Sequence, residues 1–245
     1  MELVLSLFPG IGLLDKGFEG SGFCVVRGPD LIFGGDIRKF NVMPGKFDGI
    51  IGGPPCQDFS KARRSEPTGN GLEMIEQFMR VVKQAKPDWW LAENVPGVPD
   101  IKIDGYNWQR LDLRASHFGM TQRRLRHVQF GSADGTQLVI NRPSLETGTE
   151  PTALANDDRS IQELAKLQGL PENFNIPAFT RGELTKAIGN GVPWGISKAL
   201  AEAVKQRKSD VNLCACNCGR QISGKQTTAT GACRKRLHDR KKGES

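Results

Sequence analysis

The sequence predicts an α/β fold built on an open, largely parallel sheet, and three observations predict it. Short apolar runs of strand length, Leu3–Leu7, Ile50–Ile51 and Trp89–Ala92, each stop within a few residues at glycine and proline. A stretch with helical spacing, Ile75, Phe78, Met79 and Val82, separates two of them and ends at Pro87. The reactive residues stand just after the runs, where open α/β sheets keep their ligands.

Leu3–Leu7 reads as the first strand. Phe8, Pro9, Gly10, Ile11 and Gly12 form a glycine turn feeding a short helix, which points backbone N–H groups and a positive helix end at one place. Phe23–Val26 is a second strand, and Gly35-Asp36-Ile37 ends a third, brief one. Asp36 is placed to accept from an amino group or a ribose hydroxyl, or is simply a turn aspartate. Next comes Phe47 to Ser60, whose apolar run meets Gly52, Gly53, Pro54 and Pro55. Neither proline continues a strand ladder, so the chain leaves the sheet stiffly and presents Cys56. A lone cysteine more often just packs; the rigid loop favours a nucleophile. The carboxyl of Glu93 ends the Trp89 strand in the same way.

Gln122-Arg123-Arg124-Leu125-Arg126 leads into a strand at His127–Phe130, and extended backbone puts Arg124 and Arg126 on one face. His117 and His127 read as structural. Residues 131–157 read as a loop with one hairpin strand at Leu138–Ile140. Ser160 and Glu163 make a capping box for a helix to Gln168, with Gly169 after it. Gly189-Asn190-Gly191-Val192-Pro193 is a tight turn before a helix with Ile196, Leu200 and Val204 on one face.

The 245 residues suffice for one domain with appendages. No apolar run approaches the roughly 20 residues of a membrane span, and no leader pattern opens the chain. An intracellular protein with reduced thiols is the expectation, so the six cysteines point to chemistry or metal. Residues 205–245 carry eleven Lys or Arg against three acidic residues, a net +8. The whole chain is +7, which leaves −1 for residues 1–204. The basic character belongs to the tail, as a solvated end or as a contact for a polyanion. Cys214, Cys216, Cys218 and Cys233 in that tail suit a closed Zn²⁺ site, and so small and polar a segment would hardly fold without metal.

In order, Phe8-Pro9-Gly10-Ile11-Gly12, Gly53-Pro54-Pro55-Cys56-Gln57, Glu93-Asn94-Val95, Gln122 to Arg126, Arg159 to Pro171 and Gly189 to Pro193 resemble the DNA (cytosine-5)-methyltransferase family. The resemblance covers residues 1 to about 207. It implies a class I methyltransferase (Rossmann-like) sheet that binds S-adenosylmethionine; the chain departs from the family in its very small target-recognition insertion, and the zinc-binding tail lies beyond the resemblance. The expected parts are a catalytic core at 1–130, a reduced recognition region at 131–186, a closing turn and helix at 187–207 and a Cys-rich module at 208–245.

The resemblance also implies roles. Cys56 would attack C6 of a flipped-out cytosine. Glu93 would serve N3 and the exocyclic amine, while Arg124 and Arg126 hold O2 and the glutamate or a phosphate. S-adenosylmethionine would lie against Phe8, Pro9, Gly10, Ile11 and Gly12, its adenine by Asp36 and Ile37, with Pro55 beside it and Asn190 and Val192 near its amino-acid end. Gln57 and Ser60 would contact double-stranded DNA, and the charge of the tail, outside the resemblance, adds Arg234, Lys235 and Arg236 as phosphate contacts; the protein is expected to act as a monomer in a bacterial or phage-infected cytoplasm. The family's helix ahead of Gly35-Asp36-Ile37 is missing, and its ribose-binding acid is not clearly matched by Asp30. An RNA cytosine-5 methyltransferase and an idle DNA-binding scaffold are the competing readings.

Overall fold

Six strands form one sheet in the order β2-β1-β3-β4-β6-β5. They are β1 (Leu3–Leu7), β2 (Cys24–Arg27), β3 (Gly49–Gly52), β4 (Trp89–Asn94), β5 (Asn107–Arg114) and β6 (Leu125–Ser132). The first four pair in parallel, and β6 runs antiparallel between β4 and β5. This computed structural model describes residues 1–59, 66–144, 146–208 and 212–243, and of 241–243 the backbone alone.

The central strands are buried on both faces, as a parallel sheet covered by helices requires. On one face α1 (Leu13–Gly20) and α5 (Trp194–Lys205) pack together. Gly17 makes their approach possible, because a Cβ there would lie 1.9 Å from Ser197 Oγ. Ser197 Oγ in turn donates to Leu14 O at 2.6 Å. The predicted stripe of Ile196, Leu200 and Val204 is fully buried here. On the other face α2 (Asn70–Ala85) buries Ile75, Phe78 and Val82 against Leu5, Ile50 and Trp90.

A third cluster joins α3 (Ile161–Gln168) and α4 (Arg181–Asn190). The Ser160–Glu163 capping box is present, and Thr180 with Glu183 makes a second one for α4, a helix the sequence expectations lack and whose last two residues, Gly189 and Asn190, are the start of the expected turn. Three other expectations change. Gly35–Ile37 is no strand: Asp30 and Asp36 cap two short 3-10 turns, Leu31–Phe33 and Ile37–Lys39, and their side chains capture the backbone there. Leu138–Ile140 forms no hairpin; Leu138 exchanges two hydrogen bonds with the Gln109 side chain, and Ile140 N donates to Gly219 O. Strand β5 was not anticipated, because only Leu111 and Leu113 alternate clearly among its polar residues.

Among the described residues no helix is long and apolar enough to cross a membrane. The tail does not stand apart. Asp112 N donates to Asn217 O, and helix α6 (Gly231–Gly243) reaches Asp112 through Arg240, so the tail covers part of the open edge of β5. Bare sheet edges invite pairing with other chains, which gives this cover a physical use.

Candidate active site

The chain leaves β1 to one side to build β2 and then crosses to β3, so the strand order reverses between β1 and β3. A crevice opens outside the carboxyl ends of strands at such a switch point. Here it is a cleft of about 760 Å³.

Its floor is the turn after β1. Phe8 and Gly10 both have positive φ, 55° and 53°, which turns the backbone sharply toward the cleft. Asp30 braces the turn, accepting from Gly10 N at 2.7 Å and Ile32 N at 2.9 Å. Both of its oxygens are therefore engaged with backbone. Phe8, Pro9, Gly10 and Ile11 line the cleft; Gly12 stands behind, where a Cβ would meet Arg27. Asp36, Ile37, Pro55, Asn190 and Val192 line it as well. Helix α4 adds Glu183 and Lys186, which the sequence reading missed along with the helix. The Thr180–Glu183 spacing was the available signal.

Cys56, Glu93 and Arg126 meet at the same cleft. Strand β4 carries Glu93 and Asn94 to its end, and Asn94 fixes the neighbouring loop: Nδ2 donates to Pro54 O at 3.0 Å, while Oδ1 accepts from Val95 N at 2.9 Å. Two prolines and this amide together hold the approach to Cys56, whose own carbonyl accepts from Phe59 N. Asn94 is thus a positioning residue that its place beside Glu93 already signalled.

Arg126 Nε lies 2.6 Å from Glu93 Oε1, both side chains almost fully buried. The contact is one of charge rather than an aligned hydrogen bond, and Oε1 is left without a hydrogen-bond partner. Burial raises the pKa of Glu93, and Arg126 opposes that only partly. Burial also raises Cys56, the Glu93 charge adds to the rise, and Arg126 lowers it. Burial and the neighbouring arginine thus pull in opposite directions on both the Glu93 carboxyl and the Cys56 thiol.

Arg124 is not where the sequence placed it. It precedes β6, is 2% exposed and does not line the cleft. Its guanidinium donates to Ala153 O and Gly189 O at 2.5 Å each and to Gly191 O at 3.0 Å. Gln168 Nε2 ties Ile188 O to the same knot at 2.6 Å. Arg124 therefore positions the turn bearing Asn190 and Val192 instead of touching a base. Gln57 borders the cleft. Ser60 lies outside the described residues.

In the tail, Cys214, Cys216, Cys218 and Cys233 are buried with their sulfurs within 4.8 Å of one another. Arg220 Nη1 lies 3.4 Å from Cys233 Sγ, and Arg236 Nη1 3.7 Å from Cys216 Sγ. Arg236, expected to face DNA, is thus turned inward, whereas Arg234 and Lys235 are exposed.

The pattern of C-5 cytosine-specific DNA methylases matches residues 30–159, a little over half of the chain. The chain is 36% identical over 209 residues to the Type II methyltransferase M.NgoPII of Neisseria gonorrhoeae, covering 71% of this chain and 61% of that protein. It is 29% identical over 197 residues to the Type II methyltransferase M.AgeI of Thalassovita gelatinovora, covering 64% and 46%. The chain thus spans about half to three fifths of the length of these relatives. The solved structure of the Entamoeba histolytica methyltransferase EhMeth superposes with a TM-score of 0.63 at 12% identity, over 84% of this chain and 98% of that one, a likeness of fold. With the match running from the Asp30 brace of the β1 turn through both charged partners of Cys56, the chain belongs to the C-5 cytosine-specific DNA methylase family.

Proposed function

We propose that this protein methylates C5 of cytosine in double-stranded cytoplasmic DNA, with S-adenosylmethionine as donor. The observation that carries the reading is the convergence of Cys56, Glu93 and Arg126 on the cleft that the β1 turn floors. Asp36, Ile37, Asn190 and Val192 all line that cleft of about 760 Å³, which supports placing the donor there, with its adenine by the first two and its amino-acid end by the last two. When bound, S-adenosylmethionine supplies an electrophilic methyl group.

The chain's own residues do the rest. The Cys56 thiolate adds to C6 of a base flipped out of the duplex. Glu93, whose pKa burial raises, donates from its protonated form to N3 as charge arrives there, and Arg126 stabilises the carboxylate that forms. C5 becomes nucleophilic. Once C5 is methylated, loss of its proton to water and departure of the Cys56 sulfur restore the ring.

The tail reads as a structural Zn²⁺ site. Four thiolates at about 2.3 Å from zinc in a tetrahedron stand about 3.8 Å apart. Cys218 and Cys233 are 3.8 Å apart and Cys214 and Cys216 3.5 Å, far from disulfide length. Four thiolates around Zn²⁺ carry a net −2, and Arg220 and Arg236 beside the sulfurs have no carboxylate partner among the described residues. Exposed Arg234 and Lys235 then offer charge to DNA phosphates on the outer face of α6.

Duplex DNA and RNA oligonucleotides carrying 5-fluorocytosine separate the readings. With the donor present, a covalent complex through Cys56 is expected on DNA alone. Adduct on RNA alone would transfer the reading to RNA, and adduct on neither would falsify it. Metal analysis of the purified chain is expected to return one zinc per molecule; a metal-free folded tail overturns the zinc assignment.

A further inference from the structure

Every polar atom of Asp112, on β5, has a partner. Its N donates to Asn217 O at 3.0 Å, between two of the tail cysteines. Its O accepts from Arg142 Nη2 at 3.0 Å, and the same nitrogen also donates to Cys218 O. Oδ2 accepts from Arg240 of α6. Oδ1 lies 2.9 Å from Nδ1 of His127, a side chain with no exposure. Three partners belong to the tail or are gripped by it. The fourth is on β6, next in sequence to Arg126.

The register makes the link short. Asp112 stands opposite His127, and Leu113 opposite Arg126. On the other side of β6, Asn94 pairs with His127 and Glu93 with Val128. His127 thus sits between the strand that the tail holds and the strand that carries Glu93. Its ring is buried and Nε2 has no partner, so Asp112 is its one anchor among the described residues. Burial works to raise the pKa of Asp112, but the hydrogen bond to His127 and the charges of His127 and Arg240 outweigh it, and the carboxyl stays ionised below its usual range.

We propose that Asp112 is a positioning residue for Arg126. Docking of the thiol knot on the edge of β5 is passed through Asp112 and His127 to the strand that holds Arg126 against Glu93. The inference rests on the proposed role of that pair and adds what sets its geometry. Small displacements at a reacting centre are expensive, which gives a contact this far from the cleft its leverage.

The test uses the full zinc-loaded chain as wild type, Asp112→Asn, Arg240→Gln, Arg240→Lys and the double variant Asp112→Asn/Arg240→Gln. Three quantities are read: single-turnover adduct formation on 5-fluorocytosine duplex, equilibrium binding of S-adenosylmethionine, and the pH profile of Cys56 alkylation by iodoacetamide. Adduct formation is expected to fall about tenfold in Asp112→Asn and Arg240→Gln, with Arg240→Lys recovering part of it. The double variant should fall no further than the worse single one, since both act on one path. Donor affinity and zinc content should stay within twofold. Because Arg126 holds the Cys56 pKa down, the alkylation profile should move to higher pH in the slowed variants.

Adduct rates within twofold of wild type, with alkylation unmoved, overturn the proposal. So does a multiplicative loss in the double variant. If Asp112→Asn loses donor binding and has therefore misfolded, Arg240→Gln decides alone. A wild-type chain that forms no adduct removes the catalytic reading, and this proposal with it; a normal wild type beside unchanged variants removes only this proposal.

Discussion

Cys56 and the four tail cysteines are the same residue in two surroundings. Cys56 has no other sulfur as partner; it stands on a proline-stiffened loop over a cleft, with one buried carboxyl and one arginine for company. The tail sulfurs crowd within 4.8 Å of each other, with guanidinium groups pressed against them. In the first setting burial and the carboxyl raise the thiol's pKa while the arginine lowers it. The second suits permanent thiolates. Neighbouring charge and sulfur, rather than burial alone, separate a nucleophile from a ligand.

The largest expected effect breaks the comparison at its first term. Cys56→Ala should lower methyl transfer by about 10⁴-fold or more while leaving zinc content and melting behaviour at wild-type values. A residual rate near wild type would move the nucleophile elsewhere. Cys233→Ser should do the reverse. Zinc is lost, and the chain gives up about 4 kcal/mol of stability if free zinc had stood a thousandfold above its Kd. Denaturant titration with and without a chelator reads this, and superimposable curves would remove the metal from the tail.

Two arginines two residues apart sharpen the contrast. Arg124→Met strands three buried carbonyls and should cost about 3 kcal/mol in urea unfolding, with weaker donor binding. Arg126→Gln should act on the chemistry, cutting adduct formation by about 10²-fold. An Arg124 variant of normal stability would mean that the knot at Gly189 and Gly191 holds without it.

The smallest effect is in pH. Glu93 has a raised folded pKa, so its proton stabilises the fold at low pH. That contribution is complete below the ordinary carboxylate range and is lost as pH climbs through the raised folded value. Glu93→Gln should flatten this part of the stability profile, which urea melts across acid and neutral pH would measure. An unchanged slope would place the titration on another group.

Much of this was legible because punctuation and period agree in the sequence. The apolar runs ending in glycine and proline placed β1, β3 and β4, and their ends held Cys56 and Glu93. The tail thiols were legible as four cysteines gathered in one short polar segment, although their C-x-C-x-C spacing is not the common C-x₂-C one. What escaped shares a cause: long-range pairing decided it. β5 alternates over only Leu111 and Leu113, and its identity comes from pairing with β6. Arg124 looked like a twin of Arg126, yet its partners lie 29 to 67 residues away and no local pattern announces them. The brief strand expected at Gly35 lost to Asp30 and Asp36, whose side chains captured the backbone.

The cover over β5 also orders events during synthesis. Residues 1–132 contain all six strands, but the groups that occupy the outer side of Asp112 come from Asn217, Arg142 and Arg240. On the ribosome the sheet is therefore complete well before its margin is shielded. A nascent chain that stalls before residue 212 would carry a bare, adhesive strand into a crowded cell.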